Sequence, residues 1–213
     1  MKIINSSVEI LSNVDGKEML KKIEQCGRTC YKSEDKITDS SAEKFVQNII
    51  DRGHESVLEH VSISVKVICD RAISHEIVRH RLASYSQEST RYCNYGKDKF
   101  NQEITVILPV MFDMNAPAYN IWKRSCENAE TAYFDLLNEG YKPEDARSVL
   151  PNSLKTELVM TANLREWRHF LRMRLSPAAH PQMVEIAYRI LMEFHEKVPV
   201  VFEDIWREEN AGF

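Results

Sequence analysis

Residues 61–92, VSISVKVICDRAISHEIVRHRLASYSQESTRY, contain one strand pattern, one helix pattern and a dense group of polar side chains. Residues 61–67 alternate valine and isoleucine with serine and lysine, which is the period of a strand with one buried face. The segment from Arg71 to Arg81 has the pattern of a helix. Residues 79–92 then combine three arginines with a histidine, hydroxyls and amides. Such a stretch indicates a phosphate site, a patch for nucleic acid or a well-solvated loop.

The rest of the chain supplies further elements in a mixed order. Strands are predicted at 104–110 and 154–162, and helices at 13–27, 40–53, 117–138, 163–174 and 181–197. We expect the first helix to end on Gly27, and Ser40 and Glu43 have the spacing of a capping box. Because strands and helices do not alternate regularly, the order predicts an α+β fold with a mostly antiparallel sheet flanked by helices. No repeat or linker divides the sequence, so residues 1–213 are predicted to form a single domain.

Composition and charge narrow the class of function. The 213 residues are 43% hydrophobic and 28% charged, with a formal net charge of −4, which is an ordinary globular balance. General binding to nucleic acid is not expected of an acidic chain, so any basic site must be local. No apolar run reaches the roughly 18 residues that span a bilayer, and the first residues lack the apolar core of a signal peptide. We therefore expect a cytoplasmic protein with no membrane segment.

Neither the cysteines nor the histidines predict a metal site. The five cysteines are scattered, and Cys26 and Cys30 lack the second close pair that a zinc site needs. His54 and His60 are six residues apart, whereas two histidines must be four apart to bind zinc from one helix face. We expect no metal, and we expect the cysteines to be buried thiols rather than disulfides.

Two groups of arginines indicate an anionic ligand. The sequence has no glycine-rich dinucleotide fingerprint and no P-loop, so a phosphate would need other donors, and arginine is a planar, bidentate one. The first group beside Tyr85 and Tyr92 suits one small anionic ligand with an aromatic part. The second group is equally compatible with a helix face paired with acidic neighbours. The first group is Arg79, Arg81 and Arg91, and the second is Arg165, Arg168, Arg172 and Arg174.

The first arginine group belongs to a longer pattern. An Arg-His-Arg followed by seven residues and a serine, from Arg79 to Ser89, resembles the signature of flavin-dependent thymidylate synthases. The resemblance extends through GHESVLEH, ISHEIVRHR, RYCNY, DARSVLP and TANLREWRHFLRMRL, and it covers essentially the whole chain. It implies a homotetramer with active sites between subunits. It also implies conversion of dUMP to dTMP with FAD, a reduced nicotinamide such as NADPH, and methylenetetrahydrofolate.

Site residues follow from this resemblance by position. The residues expected to contact FAD are Ser56, Arg79, His80, Arg81, Gln87, Asn163, Leu164, Arg165 and His169. The residues expected to contact dUMP are Glu76, Ile77, Val78, Arg79, Gln87, Glu88, Ser89, Thr90, Arg91, Arg147 and Arg174. Glu76, Cys30 and His169 stand where the family commonly has glutamine, serine and asparagine.

Arg174 is the residue that we expect to act in catalysis. A fixed cation at the edge of the pyrimidine favours the ring deprotonated at N3, which makes C5 more nucleophilic without a cysteine adduct. On the residues alone, two other classes of function stay open. A nucleotide- or RNA-binding protein would use the same arginines and show a steep salt dependence. A phosphate-ester hydrolase would use His80 as acid or base, although the sequence lacks a carboxylate-rich metal cluster.

Overall fold

The computed structural model describes residues 1–211, except for the side chain of Lys99. The strands are β1 (Lys2–Ile4), β2 (Ser7–Ile10), β3 (Ser62–Asp70), β4 (Ala83–Gln87), β5 (Thr105–Ile107) and β6 (Lys155–Asn163). The helices are α1 (Gly16–Thr29), α2 (Ser41–Asp51), α3 (Arg71–Ile77), α4 (Pro117–Asn138), α5 (Pro143–Ala146), α6 (Leu164–Arg174), α7 (Pro181–Lys197) and α8 (Pro199–Asn210). Short 3-10 helices occupy Glu34–Lys36, Glu55–His60, Asp98–Phe100 and Arg147–Val149. The predicted α+β class is confirmed.

A four-stranded sheet has the strand order β2-β3-β6-β4, and β1 pairs with β5 in a separate parallel sheet. β3 and β6 are antiparallel. The backbone amide of Leu164 donates to the carbonyl of Val61, and the amide of Arg71 donates to the carbonyl of Leu154. Residue numbers therefore fall along β6 as they rise along β3. The predicted alternation of β3 is confirmed, since Ile63, for example, is fully buried whereas Ser62 is exposed.

Two predictions about helix ends were wrong. Gly27 does not end the first helix, because α1 continues to Thr29. A Cβ atom on Gly27 would lie 2.7 Å from the ring of Phe45, so this glycine allows α1 to pack closely against α2. Ser40 does precede α2, but its hydroxyl bonds to no backbone amide of the helix. The neighbouring Ser41 hydroxyl donates instead to the carboxylate of Glu24 at 2.8 Å.

The arginine-rich stretch contains less helix than predicted and also contains a strand. Helix α3 ends at Ile77 rather than continuing to Arg81, and the hydroxyl of Tyr85 donates to the carbonyl of Ile77 at 3.0 Å. This bond satisfies one of the carbonyl groups that a helix end leaves open. The strand predicted at 104–110 is reduced to β5. Pro109 has no amide hydrogen for a strand ladder, which accounts for the early end.

The chain folds into two compact units, each of which is made of separate segments. The first unit contains Met1–Ser7, Val67–Arg79 and Tyr85–Val159. The second unit contains Val8–Lys66, His80–Ser84 and the residues from Met160 onward. The prediction of a single domain over 1–213 stays a prediction.

Each unit has its own core. In the first, Tyr133 is fully buried, and its ring packs edge-on against that of Tyr95. In the second, the indole of Trp167 donates to the carbonyl of Ile63 at 3.0 Å and packs edge-on against Phe194. Within the described residues, no helix combines the length and apolar character that crossing a membrane requires.

Candidate functional site

Helix α6 begins directly after β6 and carries the second arginine group. The side chain of Asn163 accepts from the backbone amide of Glu166 at 2.9 Å, and this N-cap fixes the first turn of the helix. Trp167, Phe170 and Leu171 form the apolar face of α6 and are fully buried. Packing on one face therefore holds the polar residues of α6 in fixed positions.

The first turns of α6 form part of a pocket within the second unit. The pocket has a volume of about 770 Å³, which lies in the range of small-molecule and cofactor sites. Three predicted FAD contacts, Asn163, Arg165 and His169, come together in its lining. The other lining residues are Glu55, Glu59, Leu82, Glu166 and Arg172.

Arg168 of α6 is buried and does not face a ligand. Its guanidinium donates to the two carboxylate oxygens of Asp204 at 2.8 and 2.7 Å, and to Glu55 at 3.1 Å. It also donates to the backbone carbonyl of Val201. The second arginine group therefore includes a residue that ties α6 to α8 and to the 3-10 helix Glu55–His60.

Two exposed arginines of α6 are also paired with carboxylates. Arg165 lies 2.6 Å from Glu59, and Arg172 lies 2.7 Å from Asp204. For Arg165, Arg168 and Arg172 the structure therefore shows pairing with acidic neighbours. Exposed ion pairs contribute about 1 kcal/mol or less to stability. Arg165 can therefore exchange Glu59 for an anionic ligand at little cost.

His80, the central residue of the Arg-His-Arg signature, is buried beside α6. The Nε atom of Arg174 donates to Nε2 of His80 at 3.0 Å, and Nδ1 of His80 lies 3.2 Å from a carboxylate oxygen of Glu166. The imidazole packs against the ring of Phe170, with 4.8 Å between ring centroids. The ring of His169 stands edge-on at 5.8 Å. Arg174 thus contacts the histidine of the signature, although the two residues are 94 positions apart along the chain.

Electrostatics keep His80 neutral near pH 7. Burial, together with the charges of Arg174 and His169, lowers the pKa of His80 to about 4. Burial also raises the pKa of the Glu166 carboxyl group, and His169 opposes that rise. A neutral imidazole has one acceptor nitrogen, as the hydrogen bond from Arg174 requires.

A metal ion does not fit this cluster, although its spacing would suit one. Ligand atoms of His80, Glu166 and His169 lie within 4.8 Å of one another. Both ring nitrogens of His80, however, already take part in the contacts with Arg174 and Glu166. A cation bound there would also face the guanidinium of Arg174, which carries a fixed positive charge.

The predicted FAD contacts divide between the units. Those in the second unit are Ser56, His80, Arg81, Asn163, Leu164, Arg165 and His169, and those in the first are Arg79 and Gln87. Ser56, Arg79 and Arg81 are exposed. The side chain of Leu164 is fully buried, so only its backbone is available to a ligand. The side-chain amide of Gln87 donates to the hydroxyls of Ser74 and Thr156 at 2.9 and 3.2 Å.

The predicted dUMP contacts other than Arg174 all belong to the first unit. Arg147 donates to the hydroxyl of Thr90 at 3.1 Å and to the backbone carbonyl of Glu144 at 3.1 Å. Arg91 lies 3.5 Å from the carboxylate of Glu144. Two exposed guanidinium groups are thus brought together around Glu144 and Thr90. Such a pair suits a phosphate group.

Other predicted dUMP contacts are held by internal partners. The carboxylate of Glu88 accepts from the hydroxyl of Tyr95 at 3.3 Å and from the ammonium of Lys155 at 3.0 Å. The hydroxyl of Ser89 accepts from the backbone amide of Arg91 at 3.3 Å. Ile77 is fully buried, so it can offer a ligand only its backbone. Glu76 is half-buried in α3, and Val78 is exposed.

Glu166 was not among the predicted site residues. Its position three residues after Asn163 is the spacing of an N-cap, and this signal predicts only where α6 starts. The contact with His80 joins residues 86 positions apart, so no local pattern could reveal it.

The family follows from comparison with known proteins. A family model described as "Thymidylate synthase complementing protein" matches residues 10–200. The flavin-dependent thymidylate synthase of Pyrococcus furiosus is 35% identical over 172 residues, which is 80% of this chain and 70% of the relative. The chain belongs to the flavin-dependent thymidylate synthase family. The flavin-dependent thymidylate synthase of Corynebacterium glutamicum is 30% identical over 224 residues, covering 97% of this chain and 86% of the relative.

A solved structure supports the fold of this flavin-dependent thymidylate synthase family member. The UMP/dUMP methylase PolB from Streptomyces cacaoi, bound with 5-Br dUMP, superposes with a TM-score of 0.76. The alignment covers 95% of this chain and 96% of that chain at 23% sequence identity. At this identity the similarity establishes a shared fold. The family predicted from the signature at Arg79–Ser89 is confirmed by the sequence matches.

Proposed function

We propose that this chain catalyses the reductive methylation of dUMP to dTMP, with methylenetetrahydrofolate as carbon donor and NAD(P)H as reductant. The single observation that carries the proposal is the hydrogen bond from Arg174 to His80. It joins the expected catalytic arginine to the histidine of the family signature. The proposal accords with membership of the flavin-dependent thymidylate synthase family.

FAD is the cofactor of this family, and its chemistry is hydride transfer. The pocket beside α6 fits such a group in volume and offers amide, imidazole and guanidinium donors. Its lining also contains carboxylates, of which Glu55 and Glu59 are paired with Arg168 and Arg165. Asn163, Arg165 and His169 would hold the cofactor there. Arg165 would exchange its exposed partner Glu59 for a phosphate oxygen, since exposed ion pairs are weak.

The phosphate of dUMP would bind to two of the predicted dUMP contacts. Arg91 and Arg147 supply two guanidinium groups, and Thr90 orients Arg147 through its hydroxyl. A bidentate guanidinium suits a phosphate better than a single ammonium would. Glu144, which contacts both arginines, would yield its place beside Arg91 to the phosphate.

Arg174 would act on the pyrimidine. With its Nε atom directed at His80, the guanidinium plane has a fixed orientation. The fixed charge favours loss of the N3 proton from uracil, and the anionic ring carries more electron density at C5. Attack on the one-carbon unit then needs no covalent adduct with the protein.

The buried cysteines are poor candidates for a nucleophile. Burial raises the pKa of Cys69 to about 12 and that of Cys126 to about 11. A thiol attacks as its thiolate, which these two residues do not form near pH 7. This argues against Cys69 and Cys126 as nucleophiles.

The family resemblance supports two further parts of the proposal. We propose a homotetramer in which active sites lie between subunits, and a cytoplasmic location. Size-exclusion chromatography with light scattering tests the first, since a tetramer has four times the 24.8 kDa mass of one chain.

Replacing Arg174 tests the function. We expect Arg174→Ala to retain FAD, measured from its visible absorption, and to lower dTMP formation by about a hundredfold or more. Arg189→Ala is the matched control, because Arg189 pairs with Glu185 on the surface of α7. Normal turnover in Arg174→Ala would contradict the assigned role.

A further inference from the structure

We infer that Glu166 is a positioning residue, which acts through the imidazole of His80 to orient the guanidinium of Arg174. The inference rests on the proposed function, in which Arg174 contacts the pyrimidine. Glu166 itself is separated from the substrate by two residues, His80 and Arg174.

The direction of the two hydrogen bonds follows from the chemistry of arginine. A guanidinium has donors only and keeps its charge in proteins. Nε2 of His80, which lies 3.0 Å from Nε of Arg174, must therefore be the acceptor. The single proton of the neutral ring is then on Nδ1, which lies 3.2 Å from the carboxylate of Glu166. The N–H group at Nδ1 therefore donates a hydrogen bond to the carboxylate of Glu166.

The carboxylate is held in place by its own surroundings. Glu166 is 6% exposed, and its backbone amide is bound by the side chain of Asn163 at the start of α6. The imidazole of His80 is 5% exposed and lies against the ring of Phe170. Both groups therefore occupy a packed environment, in which the lone pair of Nε2 has a defined direction.

Loss of the carboxylate has a different consequence for each tautomer of His80. If the proton stayed on Nδ1, a buried donor would lose its acceptor. If the proton moved to Nε2, two N–H donors would face each other across the present contact with Arg174. In that second case the guanidinium would lose its hydrogen bond to Nε2, and with it the constraint that His80 places on its orientation. A structural role alone predicts lower stability but no such change at Nε2.

The first test measures the tautomer of His80 in the full-length, FAD-loaded protein. Nitrogen-15 labelling of histidine distinguishes protonated from unprotonated ring nitrogens, and His80→Gln identifies the signals by their loss. We expect protonation at Nδ1 in the wild type and in Glu166→Gln, whose amide oxygen still accepts. A wild-type ring protonated at Nε2 would overturn the inference, and this result needs no variant that might fail to fold.

The second test compares turnover in two variants of Glu166. We expect Glu166→Leu to lower kcat for dTMP about tenfold or more, and Glu166→Gln to restore most of it. Because Glu166 also lines the pocket proposed for FAD, the FAD content of each variant is measured from its visible absorption, and kcat is expressed per bound flavin. Glu193→Leu, at an exposed ion pair of α7, is the matched control. Equal kcat in Glu166→Leu and the wild type would overturn the inference.

Coupling between the residues separates this inference from the proposed function. Arg174→Lys keeps a positive charge but lacks the Nε–H group of the guanidinium. If Glu166 acts through Arg174, adding Glu166→Leu to Arg174→Lys lowers kcat no further. Independent, multiplicative losses would overturn the inference while leaving the proposed function intact. A wild-type protein that forms no dTMP would refute the proposed function, whereas the His80 tautomer would still test the geometry.

Discussion

The guanidinium of Arg168 binds both carboxylate oxygens of Asp204, at 2.8 and 2.7 Å, and is 1% exposed. The same arginine reaches Glu55 and the carbonyl of Val201. One buried cation thus joins α6, α8 and the 3-10 helix Glu55–His60. Because α6 also carries Glu166 and Arg174, this connection sets the position of the helix that supplies the candidate site.

Removing the guanidinium of Arg168 should destabilise the fold strongly. We expect Arg168→Met, which keeps an unbranched apolar stem, to lower the free energy of unfolding by about 3–5 kcal/mol, because Asp204 and Glu55 lose their buried partner. Urea unfolding at one fixed protein concentration measures the change. Arg189→Met, at the exposed pair with Glu185, should cost about 1 kcal/mol or less. Equal effects of the two substitutions would contradict this role of Arg168.

The ion pair between Arg168 and Asp204 should make the free energy of unfolding depend on pH. Burial alone would raise the pKa of Asp204, but the hydrogen bonds and charge of Arg168, with Arg172, outweigh it and lower the pKa below 3.8. The unfolded chain then binds the proton more readily than the folded one. The contribution of the Asp204–Arg168 pair to the free energy of unfolding is therefore complete above pH 3.8, the pKa of Asp204 in the unfolded chain. It is lost as the pH falls through the lower pKa of Asp204 in the folded protein.

Unfolding measured across acidic pH checks this dependence. The difference in unfolding free energy between the wild type and Arg168→Met should narrow below about pH 4. A difference that stays constant down to pH 3 would show that Asp204 is not the titrating partner.

A close approach of backbone explains why residue 16 is glycine. A Cβ atom at Gly16, the first residue of α1, would overlap the carbonyl oxygen of Lys197 at the end of α7. We expect Gly16→Ala to lower the free energy of unfolding by about 1–3 kcal/mol, since backbone rather than a flexible side chain must move. Lys17→Ala, at the next and exposed position, serves as control. Thermal unfolding of the two variants compares them directly, and equal transition temperatures would refute the steric explanation.

Thiol reactivity should follow burial. The prediction that the cysteines are buried was wrong for Cys30, which is exposed. Cys69 and Cys126 are buried, and burial raises their pKa values to about 12 and about 11. Iodoacetamide near neutral pH should therefore modify Cys30 first, and the two buried thiols only after unfolding. Mass spectrometry of peptides assigns each modified residue, and Cys30→Ser should remove the fastest reaction. If Cys69 in the native protein were labelled as fast as Cys30, the explanation of thiol reactivity by burial would be wrong.

Long, regular patterns were the ones that sequence reasoning could interpret. Helices α4 and α7 occupy the predicted residues 117–138 and 181–197, because their apolar spacing and first-turn prolines are local signals. β4 was not predicted, since in ASYSQ only Ala83 and Tyr85 mark an apolar face, which is a weak signal for a strand. Helix α8 was not predicted either, although Pro199 marks its first turn; only Val198 separates it from α7.

The candidate site was predictable in its residues but not in its contacts. His80 and Arg174 were both named from the family resemblance. Their hydrogen bond, and the place of Glu166 behind His80, depend on tertiary packing that brings distant positions together. Arg165 was expected to bind the cofactor, and only the structure shows that its guanidinium forms an ion pair with Glu59.

A single-turnover reaction tests whether reduced flavin bound to this protein supports the methylation of dUMP. The FAD-loaded protein is reduced without oxygen by NADPH, freed of excess nicotinamide, and mixed with dUMP and methylenetetrahydrofolate. Flavin absorption and dTMP are then followed together. We expect flavin reoxidation to require both substrates and to yield dTMP in the amount of flavin reduced. A protein that retains no FAD, or whose flavin reoxidises without dTMP, would contradict it.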